Sequence, residues 1–414
     1  MKANLCYAQS GGVTAVINTS AAAVIDAAAN NRNIGRVYAA KNGILGVLQE
    51  ELAETWRETP QTRARLAFTP GGAFGSCRYK LPSPADNIAP HRRLMDVFRA
   101  HNIKYFLYNG GNDSADTALK LSAASKMLDW PLTTVGIPKT IDNDLAATDC
   151  CPGFGSAAKY VAVSVAETTF DVASMSRTST KVFILEVMGR HAGWLASAAG
   201  LSDDFGALMV IPPETPFRRA HFVKVLRKRV KQCGFAVVVV SEGARDTNGQ
   251  FLSASESADA FAHQQLGGAA PQIAAIVKDA GFKCHWSVAD YLQRAARHIA
   301  SKTDSEQAWA LGAAAVKLAV QGKNASMPVI RRTSDSPYRW KVETAALKNI
   351  ANRERKMPAT FYNPETYRIT AACRRYLSPL IAGESPPTFG KDGLPQYARP
   401  ANILTRKMLP TWRE

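Results

Sequence analysis

What most constrains the fold of this chain is a rhythm: short β-branched or aromatic runs recur, with helical, often alanine-rich stretches between them. Asn4–Gln9 reads as a strand that runs into Gly11-Gly12 and then into a helix through Ala21–Ala29. Tyr105–Tyr108 is a second buried strand, ending at Gly110-Gly111, and Thr133–Ile137, Val182–Val187, Leu208–Ile211 and Phe235–Val240 repeat the pattern. Strands alternating with helices imply parallel α/β sheets. In such sheets ligands bind outside the carboxyl ends of the strands, and the polar clusters of this sequence fall at those ends.

With 414 residues the chain is long enough for two lobes. No uncharged apolar run approaches the roughly 18–20 residues that cross a bilayer. Met1–Ser10 reads as a strand entering a glycine turn rather than as a leader, so a cytoplasmic enzyme without membrane partners is the expectation. The seven cysteines are scattered, and the adjacent Cys150 and Cys151 have no second Cys/His pair at metal-ligand spacing. They read as reduced thiols. A formal charge of +17 favours anionic partners. The basic residues are spread along the chain rather than gathered into an arm or an aromatic-lined stripe, so small phosphorylated metabolites are expected and nucleic acid is not. Beyond Asn324, Asn324–Lys341 and Pro379–Pro400 read as spacers around short helical pieces such as Thr344–Arg353. The aromatics of this tail imply that it is ordered and packed on the lobes.

Seven segments carry residues suited to phosphate chemistry. Ser10–Asn18 offers backbone amides at Gly11 and Gly12 before a helix amino terminus, although a plain strand-to-helix turn would look the same. Gly71–Tyr79 presents Ser76 and Arg78 on a glycine-rich segment, a phosphate clamp or a simple surface loop. Asn109–Ser114 sets Asn112, Asp113 and Ser114 beside open amides, which suits Mg²⁺ shared between carboxylate and phosphate. Pro138–Asp144 holds most of what phosphoryl transfer needs: carboxylates at Asp142 and Asp144 to accept a hydroxyl proton, and Lys139 and Thr140 to hold the transferring group. Glu186–Arg190, Ser241–Gly243 and Tyr291–Arg294 add Arg190, Glu242, Tyr291 and Arg294. Tyr291 and Arg294, three apart on a helix, share one face.

In this order, from about Leu5 to Arg294, these blocks resemble the phosphofructokinase family, most specifically at Pro138–Asp144 and Met188–Arg190. Ile350–Pro358 and Tyr376–Glu384 are similar to the carboxyl-terminal extension of its pyrophosphate-dependent members. ATP-using members carry glycine where this chain has Asp113 and again where it has Lys139, so the resemblance implies pyrophosphate as donor. The fold it implies is two Rossmann-like three-layer lobes with mostly parallel sheets and the active site in the cleft between them. Residues 1–150, completed by part of 296–345, would form the first lobe with the donor and Mg²⁺ sites. Residues 151–295 would form the second lobe with the sugar-phosphate site, and 346–414 would be an extension packed on both.

The resemblance also implies roles. Asp142 takes the proton from the 1-hydroxyl of fructose 6-phosphate, supported by Asp144, while Thr140 and Lys139 hold the phosphoryl group. Gly11, Gly12, Arg78, Asn112 and Asp113 serve the donor, and Asp113, Asn112 and Asp144 the metal. Met188, Gly189, Arg190 and Glu242 line the sugar, and Tyr291 and Arg294 hold its 6-phosphate. Lys181 and His285 stand where the family sends two arginines from a neighbouring subunit, so a homodimer or homotetramer is expected. Asn112 replaces an aspartate of many relatives. Three rival functions remain at this stage. They are an ATP-dependent kinase on the same fold, a nicotinamide oxidoreductase, disfavoured by the missing Gly-x-Gly-x-x-Gly, and a non-catalytic polyanion-binding regulator.

Overall fold

The computed structural model describes residues 2–252, the strand backbones 254–258 and 264–266, and residues 268–413. The strands are β1 (Ala3–Gln9), β2 (Ile34–Ala40), β3 (Leu52–Glu54), β4 (Ile103–Gly110) and β5 (Thr133–Pro138), then β6 (Val182–Val187), β7 (Leu208–Ile211) and β8 (Ala236–Ser241). After these come the antiparallel pair β9 (Ala254–Ala258) and β10 (Gln264–Leu266), then β11 (Cys284–Val288), β12 (Ser326–Asp335) and β13 (Tyr338–Ala346).

The first sheet has the order β13-β12-β5-β4-β1-β2-β3, and β2 through β12 run parallel apart from the antiparallel edge strands β3 and β13. Its two faces can be read from the pleat, since successive side chains point to opposite sides. Leu5 and Tyr7 of β1, with Val37 and Ala39 of β2, join the core under the helices Ile17–Ala29 and Lys302–Val320. Cys6 and Ala8, with Tyr38 and Ala40, join the opposite core, under Ala89–Ala100 and Asn112–Met127. The helix pair on the first face approaches closely because Gly312 has no side chain: a Cβ there would stand 2.5 Å from the Ser20 carbonyl. Helices on both faces of a mostly parallel sheet make three layers.

The second sheet is smaller, ordered β11-β6-β8-β7 and wholly parallel. The buried run Ala236–Ser241 is apolar from Ala236 to Val240, as expected of a central strand covered on both faces. All seven cysteines are free thiols.

Two expectations about the tail fail. Asn324–Lys341 is not a spacer: its residues form β12 and the first part of β13, an antiparallel pair that extends the first sheet through Ser326 opposite Val135. Thr344–Arg353 is not a helix; Thr344–Ala346 finish β13 and only Leu347–Asn349 turn, as a 3₁₀ helix. Alanine and leucine favour helix locally, but cross-strand pairing with Ser326–Pro328 overrides that preference. After Ala346 the chain wraps the body. The Tyr362 hydroxyl donates to the Val210 carbonyl (2.7 Å), and near the end Ile403 and Thr405 bond to Glu54 and Leu52 along β3.

Candidate active site

Sheet order explains why distant sequence blocks meet. β5, β4 and β1 are parallel neighbours, so the loops that follow them open side by side, about 5 Å apart per strand. The chain leaves β1 towards β2 on one side and enters β4 on the other, which makes this edge a topological switch point, the usual crevice for a ligand. In the second sheet β11, β6 and β8 are also parallel neighbours, and they deliver Tyr291, Met188–Arg190 and Glu242 to one end.

On the first-lobe side, Gly11 adopts a left-handed φ of 72°, and its amide donates to the Cys77 carbonyl (3.0 Å) while Ser76 Oγ donates to its oxygen (2.7 Å). The loop carrying Arg78 is thereby tied to the glycine turn. Lys139 lies buried beneath that turn, with Nζ donating to the Gly12 carbonyl at 2.5 Å. Burial, then the nearby Arg294, pull its pKa down to about 8, against Asp142 and Asp144, which hold the charge in place. Arg294 comes from the second lobe, yet its guanidinium reaches the glycine turn: a Cβ on Gly12 would stand 2.7 Å from Nη1. The same guanidinium lies 4.0 Å over the Tyr291 ring, the shared face expected of that pair. Arg294 therefore bridges the two sides of the cleft.

Asp142 and Asp144 are recessed but still touch solvent. The Asp142 amide donates to Thr140 Oγ1 (3.0 Å). Its carboxyl titrates well above the ordinary carboxylate range, first through burial, then through Asp144 and Glu242, with Lys139 and Arg190 opposing. Asp144 is raised mainly by burial, and Thr140 hydrogen bonds its side chain. Between them Asn143 takes a left-handed φ of 54°, a conformation asparagine tolerates. Its side chain turns inward, donating to the Tyr376 hydroxyl (2.9 Å) and accepting from the Cys151 amide (3.0 Å).

On the second-lobe side, the Met188 amide donates to Gln293 Oε1 and the Gly189 amide to Glu242 Oε1, each at 3.3 Å. Burial raises the pKa of Glu242, with the Gly189 amide and Arg190 pulling it back. Gly189 has φ 135°, and a Cβ would meet the Ala192 carbonyl at 2.7 Å and Ser241 Oγ at 2.8 Å. Gly189→Ala is expected to cost about 1–3 kcal/mol of stability, read by denaturant titration; an unchanged midpoint would count against this strain. Glu186 serves structure instead, accepting from the amides of Gly268 and Ala270 at the start of the helix Ala269–Asp279.

Not every residue named from sequence joins the cleft. Lys181 precedes β6, at the strand end away from Met188, and its ammonium is bonded to the Ser176 carbonyl. His285 is exposed on the edge strand β11, opposite Phe183. Asp113, by contrast, follows β4 at its cleft end, exposed in the first turn of the helix Asn112–Met127. Asn112 is turned away to the tail: Nδ2 donates to the Arg353 carbonyl (2.7 Å), and Oδ1 accepts from the Asn352 amide. Both ends of its amide are engaged there, which turns it away from the donor and metal sets. Among the described residues no group of three or more His, Cys, Asp or Glu is placed to hold a metal. Mg²⁺ ordinarily needs only one or two carboxylates besides substrate phosphate, and the hard, mutually repelling oxygens of Asp142 and Asp144 suit it.

Sequence reasoning missed Arg355, Tyr376 and Gln293, which touch the site's backbone rather than its ligand face. It had marked the Ile350–Pro358 and Tyr376–Glu384 segments, but gave their side chains no part.

Comparison with known proteins identifies the family. The Phosphofructokinase family model matches residues 4–319. The chain is 56% identical to the pyrophosphate--fructose 6-phosphate 1-phosphotransferase of Xanthomonas campestris pv. campestris (strain B100), over 99% of each chain. It is 55% identical to the protein of that name from Methylococcus capsulatus, over 98% of each. The crystal structure of a pyrophosphate-dependent phosphofructokinase from Nitrosospira multiformis superposes with a TM-score of 0.92 at 52% identity, covering all of both chains. With likeness running end to end in sequence and backbone alike, this chain belongs to the phosphofructokinase family.

Proposed function

We propose that the protein transfers a phosphoryl group reversibly from pyrophosphate to the 1-hydroxyl of fructose 6-phosphate, giving fructose 1,6-bisphosphate and phosphate. The observation that carries this reading is the electrostatic company of Asp142. One recessed carboxyl interacts with Lys139 from the donor side and with Arg190 and Glu242 from the sugar side, in a chain 56% identical to a relative that bears this activity in its name.

Asp142 takes the proton of the attacking hydroxyl as the new bond from the sugar oxygen to phosphorus forms and the bridging P–O bond of pyrophosphate breaks. The departing phosphate carries the electron pair. Lys139, Arg78 and the Gly12 amide hold donor oxygens, while the Gly11 amide, committed to the Cys77 carbonyl, ties the Arg78 loop to the turn rather than to the donor. Met188, Gly189, Arg190 and Glu242 orient the sugar, and Tyr291 and Arg294 take its phosphate. Asp144 and Asp113 would hold Mg²⁺, which when bound offsets donor charge. Lys181 and His285 would serve the cleft of a neighbouring copy in a homo-oligomer, since neither reaches this one. No helix among the described residues is long and apolar enough to cross a membrane.

The test is phosphorylation of fructose 6-phosphate by purified protein with Mg²⁺, run with pyrophosphate and with ATP in parallel. Turnover is expected with pyrophosphate, in both directions. Turnover with ATP alone would overturn the donor assignment, and none with either would overturn the reaction.

A further inference from the structure

The loop Asp142–Asp149 carries both carboxylates of the site, yet no helix or strand forms within it. It includes two non-glycine residues in the left-handed region, Asn143 (φ 54°) and Ala147 (φ 64°). Alanine in that region is strained and persists only where the surroundings impose it.

Beside the Ile330 backbone, which bonds Thr148 Oγ1 and the Asp149 amide, the surroundings come largely from one side chain of the tail. Arg355 Nη2 donates to the Asn143 carbonyl (2.9 Å), with Nε at 3.2 Å from the same oxygen. Nη1 donates to the carbonyls of Thr148 (2.9 Å) and Asp149 (2.5 Å), and Nη2 also meets the Tyr376 hydroxyl (3.3 Å). The Arg355 amide donates to the Asp144 carbonyl (2.6 Å), and the guanidinium lies 4.8 Å over the buried Trp194 ring. A planar fork with five N–H donors can tie both ends of a loop at once; an ammonium cannot. Without it the Asn143 carbonyl, set between two carboxylates, would lose its partner.

The strand of tail that carries Arg355 is itself fastened to both sides of the cleft. On the donor side Asn112 receives the backbone of Asn352 and Arg353, and Asn352 Nδ2 donates to Asp116 (3.0 Å). On the sugar side Glu354 pairs with His191 Nδ1 (2.9 Å), next to Arg190. The Asn112 amide donates and accepts in one motif, which an aspartate could not do. The departure from the family's aspartate thus has a use in this chain.

We propose that Arg355 is a positioning residue for phosphoryl transfer: through the carbonyls of Asn143, Thr148 and Asp149 it fixes the loop that aims Asp142 and Asp144, on a strap latched by Asn112. This deepens the proposed function and rests on Asp142 being the base. Misplacing a catalytic group by about 1 Å costs up to about 10²-fold, so the effect should fall on turnover rather than on binding.

The test compares wild type with Arg355→Lys, which keeps the charge over Trp194 but loses the fork, and with Tyr376→Phe, which removes only the hydroxyl that Asn143 and Arg355 share and that donates to the Asp149 carbonyl. Arg355→Lys is expected to lower kcat by roughly 10–100-fold, with KM for pyrophosphate and fructose 6-phosphate changed less than about threefold. Amide hydrogen exchange over residues 142–149 should quicken in both variants, with the sheet cores unchanged. Loss of thermal stability with kcat intact, or KM rising in place of the kcat fall, would overturn the positioning role. Should Arg355→Lys fail to fold, Tyr376→Phe decides by the same readouts with a smaller fall. Should wild type itself not turn over these substrates, the function reading fails, and exchange over 142–149 still judges the strap: unchanged protection overturns it.

Discussion

Asp142→Asn is expected to lower kcat by roughly 10²–10⁴-fold, the usual worth of a positioned general base, with KM for pyrophosphate little changed. An amide keeps the shape of the carboxyl and its contact distances but cannot accept the hydroxyl proton. The same substitution should make the protein more stable near neutral pH. Folding raises the Asp142 pKa, through burial first and then Asp144 and Glu242, so the folded state holds the proton more tightly than the unfolded chain. Stability is therefore lost as pH rises from the ordinary carboxylate range through the raised folded value. Asparagine carries no such penalty, so the thermal midpoint of Asp142→Asn should exceed that of wild type at pH 8 without substrate or added metal. The gap should narrow as pH falls and close below the ordinary aspartate pKa of about 4, where both states of the wild type are protonated. Paired kcat measurements and melting curves across pH check both halves. A variant that kept its kcat would remove Asp142 from the base role. One that melted lower than wild type at every pH would show that its attraction to Lys139 and Arg190 outweighs the burial of its charge.

The parts of the fold that were legible in the sequence are those where local pattern and tertiary role agree. The run Ala236–Val240 is apolar because both sheet faces are covered, and the loops after β1, β4, β5, β6 and β8 stand out because polar residues follow buried ones abruptly. The β12–β13 pair was misread for the opposite reason. Tyr338-Arg-Trp-Lys-Val-Glu-Thr344 does alternate in the manner of a strand, but the following Ala345-Ala346-Leu347 favours helix, and the pairing that overrides it comes from Ser326–Met327. At the site, residues whose position along a strand end fixes their direction were found: Lys139, Thr140, Asp142, Asp144 and Gly189. Arg355 was not, because its role lies in carbonyls 207 and 212 residues away in sequence, and a backbone oxygen leaves no mark on the residue that bears it. Asn112 shows the reverse case. The sequence set it among the donor and metal ligands, and only the tail's path shows that Arg353 and Asn352 engage its side chain.

Lys139→Gly combined with Asp113→Gly is expected to lower pyrophosphate-supported turnover by roughly 10²–10³-fold and to make ATP-supported turnover measurable. Lys139 is the buried cation of the donor side, 2.5 Å from the Gly12 carbonyl, and its place beneath the glycine turn is where a compact diphosphate would rest. At about 4 Å and an effective dielectric near 20, one such ammonium contributes about 4 kcal/mol of attraction to a phosphate charge, enough for a change of about 10³ in rate if felt in the transition state. Asp113 acts in the other direction. It is exposed in the first turn of the helix Asn112–Met127, where the helix amino terminus would otherwise favour a further phosphate, so its carboxylate repels a longer polyphosphate chain more than a short one. Glycine at both positions removes the attraction that favours the short donor and the repulsion that excludes the long one. Each single variant separates the two effects. Lys139→Gly alone should lose pyrophosphate turnover without gaining ATP, and Asp113→Gly alone should weaken the exclusion while keeping most pyrophosphate activity. If the double variant kept full pyrophosphate activity, donor choice would have to reside in the glycine-rich Arg78 loop, which meets the same turn through Ser76 and Cys77.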